Sequence, residues 1–504
     1  MSEFGIEKRK IVAIAVSILA LTEILDATIV SVSLPDIMGS IGANANQASW
    51  LLTSYVIAAA VFMPLAGIAA DKFGRKQVML ASTMMFCIAS IMCGLSTSLT
   101  EMVFFRIFQG IGGAFLPTLA QGYIVDNFNE NERPKIMTFY SLCCVMGPVL
   151  GPVLGGILTQ YFNWRFIFYV NIPVCIIGFV ILIKLMKKNK KKKIVHIDYT
   201  GFVFLVLGIG LVEYFINQGN NKGWLQSNAM IVSLVFGVLF LGFFIWRGSR
   251  RKTVVDFKIF KDKNYVVCCL ILFFFYIAIL AVMSYFPTML QDLYNFPTLT
   301  AGLMTSPRGI AALITAPIII KLSSKVNSRA LISLGIKIFV ISTIFLTEFS
   351  PVQGQYRVLI PVVLQGISMT TVLVMLALTA YRNIPKNLSN SAAGMYGFIR
   401  NIGNSIGTAI AATIISTQSQ VSWNHLSGYI SNYSQNYKVW SQNVVYQGLQ
   451  QLNIASNMVN TNSTFISYLD VFYFSLILGI ITIFIPLLLK KFKVNDKSYQ
   501  TMEF

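Results

Sequence analysis

Charge is scarce in this sequence. Asp, Glu, Lys and Arg make up 12% of 504 residues, against 55% apolar residues, and only two positions are histidine. No water-soluble core absorbs that much apolar surface, which leaves a polytopic helical membrane protein. His196 and His425 lie far from any cysteine pair, and Cys87, Cys93, Cys143, Cys144, Cys175, Cys268 and Cys269 all fall within apolar runs without metal-ligand spacing. They read as small packing residues, so no metal, no cofactor and no catalytic triad is expected. A membrane enzyme would need a nucleophile, base or metal cluster at the water interface, and none is visible. Of the charged residues the acidic are the scarcer, 19 against 39 basic, a net charge of +20.

That excess would suit nucleic acid if it were clustered on one surface. Instead it gathers at alternate ends of apolar runs: Lys8 to Lys10, Lys72 to Lys76, Lys187 to Lys193, Arg247 to Lys252, Lys321 to Arg329, Arg382 to Lys386 and Lys490 to Lys493. The opposite loops hold only Arg165, Lys222, Arg357 and Lys438. By the positive-inside rule both termini are expected in the cytoplasm, with an even number of spans. No small-residue cleavage pattern follows the first apolar run, so it is expected to remain as a span.

A helix needs about 20 apolar residues to cross the hydrocarbon. Fourteen runs qualify, near 11–34, 49–70, 77–96, 102–125, 136–158, 166–186, 200–217, 229–246, 265–289, 299–321, 330–348, 357–380, 393–416 and 468–489. The expected fold is all-α.

Polar residues inside these runs are the candidates for function. Glu23 and Asp26 lie in the first, and Arg106 lies in the fourth beside Gly110, Gly112 and Gly113. Charge at mid-bilayer costs about 2.5–3.5 kcal/mol on insertion scales, so such residues face the bundle interior. Three residues apart on one helix, Glu23 and Asp26 are expected on one face, titrating as a coupled pair, with Arg106 approaching in part of a cycle. The fifth run reads GPVLGPVLGG from Gly147 to Gly156; Gly147, Gly151 and Gly155 let a neighbouring backbone approach, and Pro148 and Pro152 interrupt the helix. Between the second and third runs, Gly67, Asp71, Gly74 and Arg75 occupy a tight turn, where carboxylate and guanidinium could bridge two helix ends as a switchable latch. A plain cytoplasmic loop explains the positive charges there but not these spacings.

Internal repetition sets the architecture. At an offset of 287 − 35 = 252, Leu34-Pro35 falls on Phe286-Pro287, Thr53-Ser54 on Thr305-Ser306, and Gly151 and Gly155 on Gly403 and Gly407; at 256, Gln109-Gly110-Ile111 falls on Gln365-Gly366-Ile367. The first six and last six runs pair, and the seventh and eighth are unpartnered. The expected units are 1–192, a six-helix bundle; 193–262, an inserted pair; and 263–504, a second bundle with an outer loop at 418–465. Ala278 stands where Asp26 would recur, Val362 where Arg106 would, and Ser324 near the place of Asp71. The second half adds Arg308, Arg400 and the aromatic run Phe273 to Tyr276, so Tyr276, Arg308 and Arg400 are candidates for a substrate cavity, although at this composition the aromatic run suits lipid or packing as well.

The 67–80 turn resembles the signature of the major facilitator superfamily. Together with LDATIVSVSLP from Leu25, Arg106 with Gln109-Gly110, the 147–156 run, NWRFIFYVNIP from Asn163, and Arg400 with Gly403 and Gly407, it makes nearly the whole chain resemble the fourteen-span drug:proton antiporters of the EmrB/QacA type, with the EmrB branch the nearest in its long Gln/Asn-rich outer loop. The resemblance implies proton-coupled efflux of hydrophobic drugs from a bacterial inner membrane. Asp26 and Arg106 would serve proton coupling, Asp71 and Arg75 the latch, and the 147–156 run the antiporter motif. Glu23 departs from the pattern, where an uncharged residue is expected. Resemblance also implies a periplasmic adaptor of EmrA type and an outer-membrane channel, docked through the 418–465 loop; a solvated flexible loop is the plainer reading, with Val445, Leu449 and Leu452 forming a weak apolar stripe. The sequons at Asn432 and Asn462 mean little in an Asn-rich chain. An importer or symporter, and a non-transporting receptor on the same fold, are the competing functions.

Overall fold

A computed structural model describes residues 3–129, 132–187, 198–250, 256–350, 355–385, 388–431, 434–443 and 449–490. Most of the Lys187 to Lys193 run, His196, the Asn432-Tyr433 sequon and Val445 lie outside the described residues. Fourteen long helices carry the fold: α1 (Glu3–Val32), α2 (Ala45–Phe62), α3 (Arg75–Leu95), α4 (Leu99–Asn127), α5 (Arg133–Tyr161), α6 (Asn171–Leu185), α7 (Tyr199–Lys222), α8 (Asn228–Arg250), α9 (Lys263–Tyr294), α10 (Pro307–Ser323), α11 (Ser328–Thr347), α12 (Leu359–Ala380), α13 (Ser389–Ser427) and α14 (Leu449–Phe484). No strand occurs among the described residues. Thirteen segments built on these helices are long and apolar enough to cross a bilayer, α6 and α10 together with the short helices just before them; α13, rich in Ser, Asn and Gly, is the one that does not qualify.

Local chemistry sets the ends. At the start of α2 the Asn44 side chain accepts from the Gln47 N–H at 2.9 Å while the Gln47 side chain accepts from the Asn44 N–H at 3.0 Å, a reciprocal cap. Pro64, which has no N–H to continue an α-helix, falls in a 3-10 turn, Met63–Leu65, and a further helix, Ala66–Phe73, completes the span. Gly74, at φ 91°, turns the chain directly into α3, a backbone geometry that disfavours any side chain.

The two halves repeat one packing scheme. α1 packs on α5 and α6 as α9 packs on α13 and α14; α4 packs on α2 and α3 as α12 packs on α10 and α11. The halves meet through α13 against α2 and α4, and through α5 against α10 and α12. The inserted α7 and α8 pack on each other, and α7 lies along both α2 and α13. Ile231, Val235, Leu239 and Ile245 of α8 are exposed, as a lipid-facing surface requires.

The 418–465 segment departs from expectation. It is largely helical: α13 runs on to Ser427, a short helix spans Gln435–Asn443, and α14 begins at Leu449. It forms an open cavity of about 310 Å³ lined by Leu426, Tyr429, Tyr437, Trp440 and Met458, of which Tyr429 and Met458 are exposed.

Candidate functional site

Asp26, on α1, is completely buried. Its Oδ2 accepts from Arg106 Nη1, and its Oδ1 accepts from Gln109 Nε2 at 2.8 Å and from Asn171 Nδ2 at 2.9 Å. Arg106 also donates through Nε to the Leu51 carbonyl at 3.0 Å and through Nη1 to Gln109 Oε1 at 2.8 Å, and its guanidinium lies 4.1 Å from the centre of the Tyr55 ring. Gln109 Nε2 donates further to Ser90 Oγ at 2.8 Å. Five helices, α1, α2, α3, α4 and α6, meet in this one network. Such a network repays the cost of burying charge only because most of its lone pairs and N–H groups have partners; Arg106 Nη2 and Asn171 Oδ1 are exceptions.

Glu23 does not join it. One turn earlier on α1, it is buried, with Oε2 unpartnered. Its Cγ would lie 3.1 Å from a Cβ placed on Gly113, and its carbonyl accepts from Tyr55 Oη at 3.1 Å. The charge nearest to it in effect is Arg400, across the interface on α13. The two carboxylates expected as a pair have different partners, Asp26 within the first half and Glu23 toward the second, and the charge of Asp26 still acts on Glu23.

Arg400 Nη1 donates to Cys144 Sγ at 3.6 Å. Tyr140 and Tyr276 also adjoin it. Arg308 is elsewhere: buried between α10 and α12, it donates to Gln365 Oε1 at 2.5 Å and reaches no carboxylate among the described residues. The structure therefore brings Tyr276 and Arg400 together with Glu23 and leaves Arg308 out.

The latch is wired differently from the expected Asp71 to Arg75 bridge. Arg75 Nη2 meets Asp126 Oδ2, at the end of α4, at 2.5 Å, and also donates to Asn390 Oδ1 of α13. Asn390 Nδ2 donates back to Asp71 Oδ1 at 3.2 Å. A residue of the second half thus joins both charged residues of the first. Gly67 is needed because its Cβ would lie 3.0 Å from the Ser391 backbone. Asp126 and Asn390 were missed in the sequence; a carboxylate at a helix end facing a basic turn was the available signal for Asp126, and nothing local pointed to Asn390, 315 positions from its partner.

On α5, Gly147 faces Ile24, Gly151 faces Thr28, and a Cβ on Gly155 would lie 3.1 Å from the Ile29 carbonyl. Thr28 Oγ1 donates to the Gly147 carbonyl at 3.3 Å. Pro148 and Pro152 lie within α5, and Pro152 abuts Gly302, just ahead of α10 in the other half. Gly403 lies against Tyr276, the counterpart of Ile24 at offset 252. The packing thus pairs Gly403 with Gly147, an offset of 403 − 147 = 256, one helical turn from the register expected for this helix. At that offset Arg400 is the counterpart of Cys144, which it touches, so the approximate two-fold axis relating the halves runs beside this pair.

Two six-helix halves around such an axis, with buried polar groups at their junction, define a membrane transport fold. The chain belongs to the Major Facilitator Superfamily, whose pattern matches residues 16–408. It is similar to the multidrug export protein EmrB of Haemophilus influenzae, 27% identical over 84% of each chain, and to EmrB of Escherichia coli K12, 26% identical over 92% of each. It is similar also to the fatty acid resistance protein FarB of Neisseria gonorrhoeae, 27% identical over 94% of each. Among solved structures it resembles the human organic anion transporter MFSD10, with a TM-score of 0.61 at 12% identity, covering 94% of this chain and 99% of that one. It is a multi-pass membrane transporter of that superfamily.

Proposed function

We propose that the chain exports hydrophobic small molecules from a bacterial cytoplasm in exchange for protons, by alternating access between its halves. The observation that carries the reading is the pair of contrasting buried carboxylates on α1. Asp26 has donors on both oxygens and can accept a proton only when Arg106 leaves; Glu23 has an oxygen open, beside the interface with the second half. Proton loading begins at Glu23, and separation of Arg106 from Asp26 is the step that commits the cycle. One charge crossing the field is worth about 2.3 kcal/mol per 100 mV, a driving force added to any pH gradient. Tyr276 and Arg400 line the substrate side of Glu23. The relatives named for multidrug export and fatty acid resistance support substrates with large apolar bodies.

The remaining assignments follow from this reading. Residues 1–192 and 263–504 are the rocking halves and 193–262 the inserted pair. Both termini are cytoplasmic, and the Asp71, Arg75, Asp126 and Asn390 cluster closes the cytoplasmic side while the substrate leaves outward. The 418–465 hairpin docks a periplasmic adaptor of EmrA type serving an outer-membrane channel.

Everted vesicles test the reading. With the lumen acidified, adding substrate should alkalinise it, and both Asp26→Asn and Glu23→Gln should abolish that change while the protein remains inserted. Further acidification, or no change with any of a chemically diverse substrate set, removes antiport. Replacing 424–458 by a short linker should spare vesicle transport and abolish whole-cell resistance; unchanged resistance removes the adaptor.

A further inference from the structure

In the first half a guanidinium and a glutamine amide hold one carboxylate between them, Arg106 and Gln109 on Asp26. The second half repeats the donors without the acid. Gln365 is the counterpart of Gln109 at an offset of 365 − 109 = 256, Arg308 is bonded to it, and Ala278 stands where Asp26 would recur.

Arg308 and Gln365 are each only 1% exposed. A guanidinium does not lose its proton in proteins, so a full positive charge lies inside the bundle. Arg308 Nη2 donates to Gln365 Oε1 at 2.5 Å, whereas Nε is buried without a partner. Nε–H and Nη2–H share one edge of the planar group, the edge that grips a carboxylate with two parallel bonds, and Gln365 Oε1 takes up half of it. The amide nitrogen of the same glutamine, Nε2, is also buried and unpartnered. Both leftover groups are donors. What satisfies them is an acceptor, and what offsets an uncompensated buried charge is an anion.

The surrounding helices do not supply one. α10 and α12 pack on each other and on α5, and α12 packs also on α9 and α11. No Asp or Glu occurs in α5, α10, α11 or α12. α9 has only Asp292, near its end, where it accepts from Tyr468 at 2.7 Å. The backbone of α10 is packed closely on two sides at this level: Gly366 lies against the Arg308 carbonyl, and a Cβ on Gly309 would lie 2.9 Å from Val149 of α5. Only a compact group fits there.

We propose that Arg308 and Gln365 form a binding site for one compact monovalent anion, a halide or a carboxylate group, held by Arg308 Nε–H and the Gln365 amide. The anion does in the second half what the Asp26 side chain does in the first, but it can leave. The site stands whether or not transport is driven by protons.

Thermal unfolding of the full-length protein in detergent tests it, at fixed ionic strength in sodium isethionate, with chloride, bromide, acetate or octanoate replacing isethionate stepwise. An anion that binds only the folded state raises the folding equilibrium about a hundredfold at 100 times its dissociation constant, so the midpoint should climb with the logarithm of anion concentration. A response to the halides alone identifies a free inorganic ion, and a response to acetate and octanoate identifies the carboxylate of an organic solute; either supports the site. Gln365→Glu places a permanent carboxylate against Arg308 and should abolish the response, as should Arg308→Leu. If Arg308→Leu does not fold, Gln365→Glu decides. No response to any of the four anions in the wild type, or an undiminished response in either variant, overturns the site. Vesicle antiport is read by other residues, so its failure and the failure of this site are distinguishable.

Discussion

The two halves share a scaffold and differ in where they put a cation. A Cβ on Gly110 would lie 2.5 Å from the Tyr55 carbonyl and 2.9 Å from Ala58, and one on Gly366 would lie 3.0 Å from Ala311 and close against Arg308. Since 308 − 55 and 311 − 58 are both 253, Arg308 occupies the place of Tyr55. In the first half a guanidinium from α4 lies under the Tyr55 ring; in the second the guanidinium comes from the ring's own place on α10. Both bond to the same glutamine, Gln109 or its counterpart Gln365. Only the first half adds a carboxylate. A fold can therefore keep its packing while one half carries a buried ion pair and the other a cation held by a neutral amide.

The widest expected gap lies between the two arginines. Arg106→Leu strands Asp26 in the bundle, and breaking a buried pair costs about 3–5 kcal/mol; Arg308→Leu strands only the Gln365 amide, at about 1–3 kcal/mol. Thermal unfolding of the purified protein in detergent should separate them clearly, and equal losses would break the contrast. The latch ranks next, since it too is charged on one side only. Asn390→Ala removes hydrogen bonds to two charged groups, worth about 1.5–3 kcal/mol each, so the closed arrangement should lose at least roughly tenfold in population at 1.4 kcal/mol per decade. A cysteine introduced by Ser391→Cys, facing Gly67, should then react faster with a water-soluble maleimide; an unchanged rate means that Asn390 is not what holds the halves together. Smallest is the glycine stripe. A methyl at Gly407 meets the Ile277 carbonyl at 2.5 Å and its Cα at 3.0 Å, backbone that cannot step aside, whereas at Gly155 the Ile29 side chain at 3.2 Å shares the contact. Gly407→Ala should cost about 1–3 kcal/mol, as overpacking does, and Gly155→Ala less; the reverse order in the same unfolding assay would show that α5 is the tighter of the two.

The spans were legible because hydrophobic length is a local property. Asp26, Glu23 and Arg106 stood out because charge in an apolar run is anomalous wherever it packs. By the same argument Glu213, in the run LVEYF, stands out as a buried charge, although the inserted pair has no counterpart to compare it with. Asn390 was not readable: an asparagine at a helix start is ordinary, and its partners Arg75 and Asp71 come from the other end of the chain. The register of Gly403 was mistaken by one turn because glycines four apart align equally well with either neighbour, and only the contact with Tyr276 separates the two. The 418–465 segment reads as a loop because hydropathy detects lipid, and a helix in water leaves no such trace.

That outer hairpin has a mechanical consequence. α13 is one helix of 39 residues and α14 one of 36. At 1.5 Å per residue α13 is about 58 Å long, against a hydrocarbon core of about 30 Å. Nearly half of its length exceeds the hydrocarbon core, an arm rooted in the second half. For a rod of that length, each degree of tilt about its foot carries the tip through about 1 Å. Small rotations between the packed helices become large strokes at the hairpin, and anything gripping Trp440 or Tyr429 there would feel the cycle and load it.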